Sequence, residues 1–491
     1  MRTALPLLLL LATALPAAAA PPPVKPGAAL AALRFPACDD GPDHQMPLMG
    51  LQAPLEKGDW KKLEGELEGL HASFERNPAC ERRMLRAFLS GFALTEQLPA
   101  QLDRWVAARP SSWTAYTIRG TLRMFEVWHA YGGSEHKLVQ PNWQAMRGPT
   151  DRAVADLERA IELHPRALVA HTSLIQAFQP WQAQDEIEAA FRRAKTSNPL
   201  SVELLVTMLG AVEPRWGGTP ERAEAIVAEA RRLEKQNPAV ARVYGFPAAA
   251  RAQALEWGRT QEFASTMPNG ERQRAILLYT KALLYGEPNS QWHYRRARLY
   301  QEQGDHEAAV VDSDFALAAD KSNERFWVLK IWSLGALARY EESLAAAREG
   351  QQHVPKSMHL RYSAASTLYK MGRYAEAAEA HRAILALAKS DHDRHLSLAG
   401  LGSSLVKLGR YAEAVPYLEE AVEHDNHALT VNDLAEALWQ SGRRAEAVPV
   451  LERFLALTER KPWAEDLRMR AQERIDTAGQ GAQPPARARR R

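Results

Sequence analysis

The chain has 491 residues, of which 46% are hydrophobic and 25% are charged. That length exceeds what one ordinary hydrophobic core supports, so we expect several domains or a linear stack of small units. Of the formal net charge of +3, Arg2 contributes one and four C-terminal arginines, Arg487, Arg489, Arg490 and Arg491, contribute four, which leaves −2 for the rest. Because nucleic-acid binders carry a basic body rather than basic ends, this distribution of charge disfavours that class.

The N-terminal segment has the three-part pattern of a secretory leader. An apolar run from Leu5 to Leu11 follows Arg2, and small residues continue to Ala20. The run is short for a membrane span. We therefore predict a signal peptide over residues 1–20, a periplasmic or secreted location, and no integral membrane segment in the mature chain.

Residues 21–45 are rich in proline and alanine and cannot bury enough apolar surface to order themselves, so a disordered tether is predicted there. The two cysteines of the chain are Cys38 and Cys80. In an exported protein a single pair of cysteines indicates a disulfide, and two idle thiols are the alternative.

Residues 46–255 have the spacing of paired helices. A Gly-Asp-Trp turn at 58–60 precedes leucines at helical spacing, and Pro165 and Pro199 stand 34 residues apart. Alanine, leucine, glutamate and arginine dominate throughout, and no long stretch alternates with a period of two. An all-α fold is therefore predicted for the whole chain.

Two short motifs stand out in this half. One is Trp113, Ala115, Arg119 and Gly120, and the other is Arg215, Trp216, Gly217 and Gly218. Both resemble motifs of a bacterial domain family of unknown function, which implies a fold and a bacterial origin but no activity. Trp113, Arg119, Arg215 and Trp216 form a candidate ligand site if they converge. Packing, ion pairing and a glycine bend are the alternative roles.

Small residues recur in one local frame across residues 256–460, typified by Met-Gly-Arg-Tyr-Ala-Glu-Ala at 371–377. They are Gly270, Gly304, Ala338, Gly372, Gly409 and Gly442, at spacings of 34, 34, 34, 37 and 33. Each is predicted to end a first helix with positive φ. Five residues later comes Ala309, Ala377, Ala414 or Ala447, small enough to let the second helix lie close.

A 34-residue helix-turn-helix period is typical of tetratricopeptide repeats, and residues 256–460 resemble this family. The resemblance implies an α-solenoid, a right-handed superhelix of antiparallel helix pairs, which we extend to the N-terminal half. Met267 and Pro268 depart from the pattern, as does Ala338 in place of glycine. Residues 461–478, beginning near Pro462, are predicted to be a capping helix, and residues 479–491 a disordered basic tail.

The family binds partners in a groove lined by the first helix of each repeat. The positions that would face such a groove are Tyr294, Arg298, Trp332, Tyr362, Tyr369, Asn432 and Trp439. Tyrosine, tryptophan and arginine are enriched where interfaces carry their binding energy. The alternative is that several of these rings pack between helices.

No nucleophile elbow, phosphate-binding loop, zinc-protease motif or dinucleotide fingerprint is present, so no catalytic residue, cofactor or metal is predicted. The polar run Asp391, His392, Asp393 and His395 is interpreted as a solvated loop in which Asp393 caps the next helix.

We predict a non-catalytic scaffold or adaptor of the bacterial envelope that binds a protein or peptide partner and no nucleic acid. An enzyme or small-ligand binder using the N-terminal half is one alternative, and a cell-wall or glycan binder is another.

Overall fold

The computed structural model describes residues 38, 51–131, 142–257, 267–285, 289–424 and 427–481. These residues form α-helices, short 3-10 turns and connecting loops, without a β-strand among them, so the predicted all-α fold is confirmed. No helix in the described ranges is long and apolar enough to cross a membrane. The predicted leader (1–20) and tether (21–45) lie outside the described residues, apart from Cys38.

The chain divides into two compact units, Met1–Pro288 and Asn289–Arg491. In the N-terminal unit the described helices are α1 (Gln52–Lys57), α2 (Trp60–Arg76), α3 (Glu81–Ser90), α4 (Leu98–Ala108), α5 (Trp113–Tyr131), α6 (Trp143–Leu163), α7 (Leu168–Phe178), α8 (Gln184–Ser197), α9 (Val202–Ala211), α10 (Pro220–Arg232), α11 (Phe246–Trp257) and α12 (Asn269–Tyr285). Because α12 packs on α11, the segment predicted to begin the repeats at 256 belongs with the N-terminal unit.

The longest helices of the N-terminal unit, α5 and α6, pack closely because small residues line their contact. A Cβ atom added at Gly120 would lie only 2.8 Å from the side chain of Leu157 on α6. Ala115 on α5 and Ala160 on α6 are fully buried in the same core. The Ala-x-x-x-Arg-Gly part of the first motif therefore serves helix packing.

The C-terminal unit consists of five helix pairs and one further helix. The pairs are α13 (Ser290–Gln303) with α14 (His306–Ala319), α15 (Glu324–Ala336) with α16 (Tyr340–His353), α17 (Met358–Lys370) with α18 (Tyr374–Leu387), α19 (Asp391–Lys407) with α20 (Tyr411–His424), and α21 (Ala428–Gln440) with α22 (Arg444–Leu457). The two helices of each pair pack on each other and on the next pair.

Each pair turns at the predicted small residue. Gly304, Gly372, Gly409 and Gly442 have φ between 72° and 87°, and Ala338 reaches 55° without being glycine. The backbone N–H groups after these residues bond back to carbonyls of the first helix, which satisfies its C-terminus. The predicted turn at Gly270 is wrong, because Gly270 lies in the first turn of α12 and lacks positive φ.

The one long interval, 37 residues, has a local cause. Helix α19 has 17 residues where α17 has 13, so the extra residues lengthen a first helix rather than a loop. The predicted loop at Asp391–His395 is therefore wrong. Ser390 is the N-cap, its hydroxyl accepting from the N–H of Asp393 and donating to the Asp393 carboxylate.

The end of the stack is covered by α23 (Glu465–Gly481), preceded by a 3-10 turn over Pro462–Ala464. Arg474 of α23 pairs with Glu436 of α21 at 2.6 Å, and its guanidinium lies 5.4 Å from the Trp439 ring centre. A helix was predicted over 461–478. It extends to residue 481, so the first three residues of the predicted tail are helical, and the remainder lies outside the described residues.

Candidate partner-binding surface

The first helices of the C-terminal unit form one continuous side of the stack. Helices α13, α15, α17 and α19 each contact the next first helix, the last of these being α21, whereas the second helices of neighbouring pairs contact one another less. The helices therefore approach most closely on the side of the first helices. We call this side the first-helix face; the seven predicted groove residues, Tyr294, Arg298, Trp332, Tyr362, Tyr369, Asn432 and Trp439, belong to its helices.

Trp332 is the residue of this set that solvent reaches most. Its exposed fraction is 63%, whereas Trp292 and Trp327 of the same unit are buried. On the neighbouring first helix, Arg298 is also exposed and its nearest acidic partner is Glu302, at 3.6 Å on the same helix. An exposed indole and a weakly engaged guanidinium thus lie on adjacent first helices.

The tyrosines of the set are half-buried. Tyr294 packs against Phe326 on the next first helix, with ring centres 5.3 Å apart. The hydroxyl of Tyr362 donates to the carbonyl of Asp393 and shares a 2.7 Å hydrogen bond with Ser397. These rings join neighbouring repeats and offer one edge to solvent.

Tyr369 on α17 is half-buried, and its ring meets that of Tyr374 edge-on with ring centres 5.3 Å apart. Burial, the carboxylate of Asp433 and the hydroxyl of Tyr374 together raise the pKa of Tyr369 to about 12. The charge of Asp433, on α21, therefore acts on Tyr369 although two repeats separate them along the chain.

Sequence reasoning missed a polar patch at this place. Asp433 accepts a 2.5 Å hydrogen bond from the hydroxyl of Ser403, and burial raises the pKa of Asp433 although Ser403 and Lys407 lower it. Ser403 and Lys407 are four residues apart on α19, a spacing that puts both on one side of a helix. That spacing was the available signal, since neither residue type stands out alone.

Trp439 is partly covered by two arginine side chains, one of which belongs to the capping helix α23. Its ring lies between the guanidinium groups of Arg444, at 5.2 Å, and Arg474, at 5.4 Å. Asn432, about two helical turns before it on α21, is half-buried and donates toward Asp433. The structure therefore leaves Trp332 and Arg298 as the exposed members of the predicted groove.

The four predicted residues of the N-terminal ligand site do not converge. Trp216 packs against Trp128 near the end of α5, with ring centres 5.3 Å apart, while Trp113 is the first residue of that helix. Fifteen residues of helix separate them by about 22 Å. One small-molecule site cannot be built from both ends.

Each arginine of that prediction has a structural partner. Arg119 holds the carboxylate of Asp156 in a two-pronged hydrogen bond of 2.8 and 2.7 Å and reaches Asp103 at 2.9 Å. Arg215 pairs with Glu213 at 2.7 Å and lies 5.0 Å from the ring centre of Trp216. The ion-pairing and packing roles, rather than a ligand role, describe these side chains.

The Arg-Trp-Gly-Gly motif forms a tight turn. Gly217 has φ of 83°, and a Cβ atom at Gly218 would lie 2.1 Å from the carbonyl oxygen of Val212. Only glycine fits at the second position, because the backbone passes against the preceding helix end. Trp216 is buried in the bend.

Trp113 instead contacts a cluster that sequence reasoning missed. Its ring stacks on His164 at 4.5 Å and meets His71 edge-on at 4.9 Å, and Glu75 lies beside both histidines. The spacing of His71 and Glu75 on one helix was a visible signal, but His164 is far away in the sequence.

The structure also joins Cys38 to Cys80 in a disulfide, as predicted for this pair of cysteines.

Solved structures with similar helix arrangements include tetratricopeptide proteins. YrrB, described as a TPR protein with an unusual peptide-binding site, is 18% identical with a TM-score of 0.31 and covers 40% of this chain and 97% of its own. MamA is 16% identical, with a TM-score of 0.30 and coverages of 35% and 93%. The Cut9–Hcn1 structure of the APC/C is 13% identical, with a TM-score of 0.35 and coverages of 86% and 88%.

No curated protein sequence matches the chain. Two sequence profiles, both described as tetratricopeptide repeat, match residues 357–426 and 400–462. These residues cover helices α17 to α22 with their left-handed turns at Gly372, Gly409 and Gly442. Residues 357–462 are tetratricopeptide repeats.

Proposed function

We propose that the C-terminal unit binds an extended peptide or a partner helix of another protein across the first-helix face, and that the chain is a non-catalytic scaffold. The exposure of Trp332 is the observation that carries this proposal. A large apolar ring left in water on the face where helices approach most closely gains free energy when a partner covers it. Arg298 adds a donor fork for carboxylate or carbonyl groups nearby.

The location we propose is the bacterial envelope. The leader pattern at residues 1–20 supports export, and the disulfide between Cys38 and Cys80 suits an oxidising compartment.

The experiment selects peptides from a display library on the tag-free chain beginning at residue 21, then measures their affinity. Because an exposed tryptophan at the centre of an interface is a typical hot spot, Trp332→Ala should weaken selected peptides by at least about tenfold. Trp463→Ala is the matched control, since Trp463 is 56% exposed but lies at the cap. Circular dichroism confirms that both variants fold.

Two other results would each reject this function. Peptides whose affinity falls with Trp463→Ala but not with Trp332→Ala place the working surface at the cap. Retention of the chain on purified cell wall, lost with Trp332→Ala and without any peptide binding, favours a glycan binder, in which the indole stacks on a sugar ring. An enzyme in the N-terminal unit finds no support in Arg119 or Arg215, because both are engaged in ion pairs.

A further inference from the structure

Two histidines and a glutamate meet in the N-terminal unit. His71 and Glu75 are four residues apart on α2, so both project from one side of the helix. His164 follows the last residue of α6, with extended backbone (φ −143°, ψ 94°). Nδ1 of His71 lies 3.8 Å and Nε2 of His164 lies 3.6 Å from Oε1 of Glu75. The ligand atoms of the three residues all lie within 4.8 Å of one another.

The tautomer of His71 is determined by its other nitrogen. Nε2 lies 3.0 Å from the backbone carbonyl oxygen of Arg166, which can only accept, so Nε2 carries the hydrogen. Nδ1 is then left with a lone pair that faces Glu75. A backbone carbonyl that orients one ring nitrogen while the other binds an ion is the usual outer-shell arrangement of a metal-ligating histidine.

The remaining donor atoms are buried and lack hydrogen bonds. Glu75 Oε1 and His164 Nε2 are both buried from solvent, and neither makes a hydrogen bond in the structure; Arg166 approaches Glu75 Oε1 as an ion pair, at 3.3 Å. Buried polar atoms are nearly always hydrogen-bonded, so two such atoms facing the same point call for a binding partner there. A cation placed between them satisfies both.

Both imidazoles are in the protonation state that binds metal. Burial and, to a smaller extent, the neighbouring His164 lower the pKa of His71 to about 4. Burial also lowers the pKa of His164. Each ring is therefore neutral near pH 7 and has a lone pair to donate, as metal ligation requires.

The surroundings hold these rings in place. Trp113 stacks on His164 and meets the edge of His71, and Phe74 meets His71 edge-on at 5.9 Å. Aromatic packing on both rings restricts their rotation, which preserves the geometry of the donor atoms.

Arg166 is a cation beside the cluster that a bound metal ion would displace. Its Nε lies 3.3 Å from Oε1 of Glu75, and its side chain is 49% exposed. Because the Arg166 side chain is half-exposed, turning it into solvent or moving it to the other carboxylate oxygen costs little free energy. Arg166 therefore competes with a bound ion without blocking the site.

We propose that His71, Glu75 and His164 bind one divalent transition-metal ion, with Zn²⁺ as the best match to two imidazole nitrogens and one carboxylate oxygen. Donors about 2.0–2.2 Å from a tetrahedral Zn²⁺ lie roughly 3.3–3.5 Å apart. The observed separations are 3.6 and 3.8 Å to Glu75 and at most 4.8 Å between the two histidines, so the side chains must draw together around the ion to reach that geometry. Three protein ligands leave a fourth position for water or for a group from another molecule.

The test uses the tag-free full chain, stripped of metal with a chelator and titrated with ZnCl₂ by calorimetry. We expect one equivalent to bind with a dissociation constant in the micromolar range or below, and Trp113 fluorescence to change with it. His164→Gln and Glu75→Gln should each weaken binding by at least about tenfold. His164 is 30% exposed, so its variant should stay folded even if Glu75→Gln does not.

Two control variants separate this site from adventitious binding. His359→Gln removes a histidine whose side chain is 71% exposed in the other unit, and should leave the affinity unchanged. Arg166→Gln should increase the affinity, because it removes the competing charge and keeps the backbone carbonyl that orients His71. If the wild type binds no Zn²⁺ at 50 µM, or if His164→Gln binds as tightly as His359→Gln, the proposal is wrong.

Discussion

At the scale of single residues, the C-terminal unit contains one fully buried ion pair between α13 and α14. Both nitrogens of the Arg296 fork donate to Asp312 at 2.7 Å, and His293 Nδ1 lies 2.7 Å from the same carboxylate. Burial raises the pKa of Asp312, but the bonds from Arg296 and His293 outweigh it and hold that pKa below its ordinary value. The carboxylate is thus charged and fully partnered.

Removing that carboxylate should strongly destabilise the C-terminal unit. Asp312→Ala removes the carboxylate that accepts two hydrogen bonds from buried Arg296, so we expect the free energy of unfolding to fall by about 3–5 kcal/mol. Asp314→Ala is the control, because Asp314 is 54% exposed and its pair with Lys330 should contribute at most about 1 kcal/mol. Urea unfolding of both variants checks the difference. Equal losses would show that burial does not decide the strength of these pairs.

Glu81 makes the stability of the N-terminal unit depend on pH. Burial raises its pKa to about 7, although Ser201 and the N–H of Val202 donate to its carboxylate and lower it. Between the unfolded-state pKa of about 4.3 and pH 7, the Glu81 carboxyl is therefore protonated in the folded state and deprotonated in the unfolded state. Stability from this group is largest below that window and declines as pH rises through it.

This pH dependence can be tested by comparing the stability of the wild type with that of a Glu81→Gln variant. Relative to Glu81→Gln, which cannot ionise, the wild type should gain unfolding free energy as the pH is lowered from 7.5 to 5. Urea unfolding of both at each pH measures this gain and cancels the titration of other groups. A difference that stays constant with pH would mean that Glu81 keeps an ordinary pKa in the folded chain.

At the scale of helices, contact between α19 and α20 depends on one missing side chain. A Cβ atom at Gly402 would lie 2.4 Å from Leu418, which is fully buried on α20 and cannot withdraw. Gly335 on α15 has the opposite surroundings, since its nearest neighbour is the flexible end of Lys370 at 3.8 Å. These two helical glycines of the same unit thus differ in the space available for an added Cβ atom.

Alanine at these two positions should act in opposite directions. Gly335→Ala should stabilise the unit by about 0.5–1 kcal/mol, because alanine is the better helix former. Gly402→Ala gains the same propensity but forces overpacking of about 1–3 kcal/mol, so it should destabilise. Thermal unfolding compares the two directly. Stabilisation by both would show that the α19–α20 contact relaxes freely.

The helices of the repeats could be predicted because their ends depend on local chemistry. A left-handed turn needs glycine or a tolerated substitute, and it recurs at Gly304, Gly372, Gly409 and Gly442. Gly270 shares the spacing and an alanine five residues later, Ala275, but it lies in the first turn of α12 rather than at the end of a helix. The loop predicted at Asp391–His395 was wrong because Ser390 provides an earlier N-cap, so the helix begins at Asp391.

At the scale of the whole molecule, the sequence could predict which residues share a side of the stack but not which of them meet water. Trp332 and Trp439 both lie on first helices, yet one is exposed and the other has two arginine guanidinium groups over its ring. One of these arginines, Arg474, belongs to helix α23, which packs only at the last pair. The His71 cluster was equally hidden, because α2 and the end of α6 meet only in the folded unit.

The serial packing of the C-terminal unit has a mechanical consequence. Helix packing runs mainly between neighbouring pairs, so a small rotation at each joint adds to a large displacement between the two ends. We expect such a unit to extend and bend by small changes at each joint, while the core inside each pair stays intact. A partner that lies across several first helices would reduce this flexibility, because it connects joints that otherwise move separately.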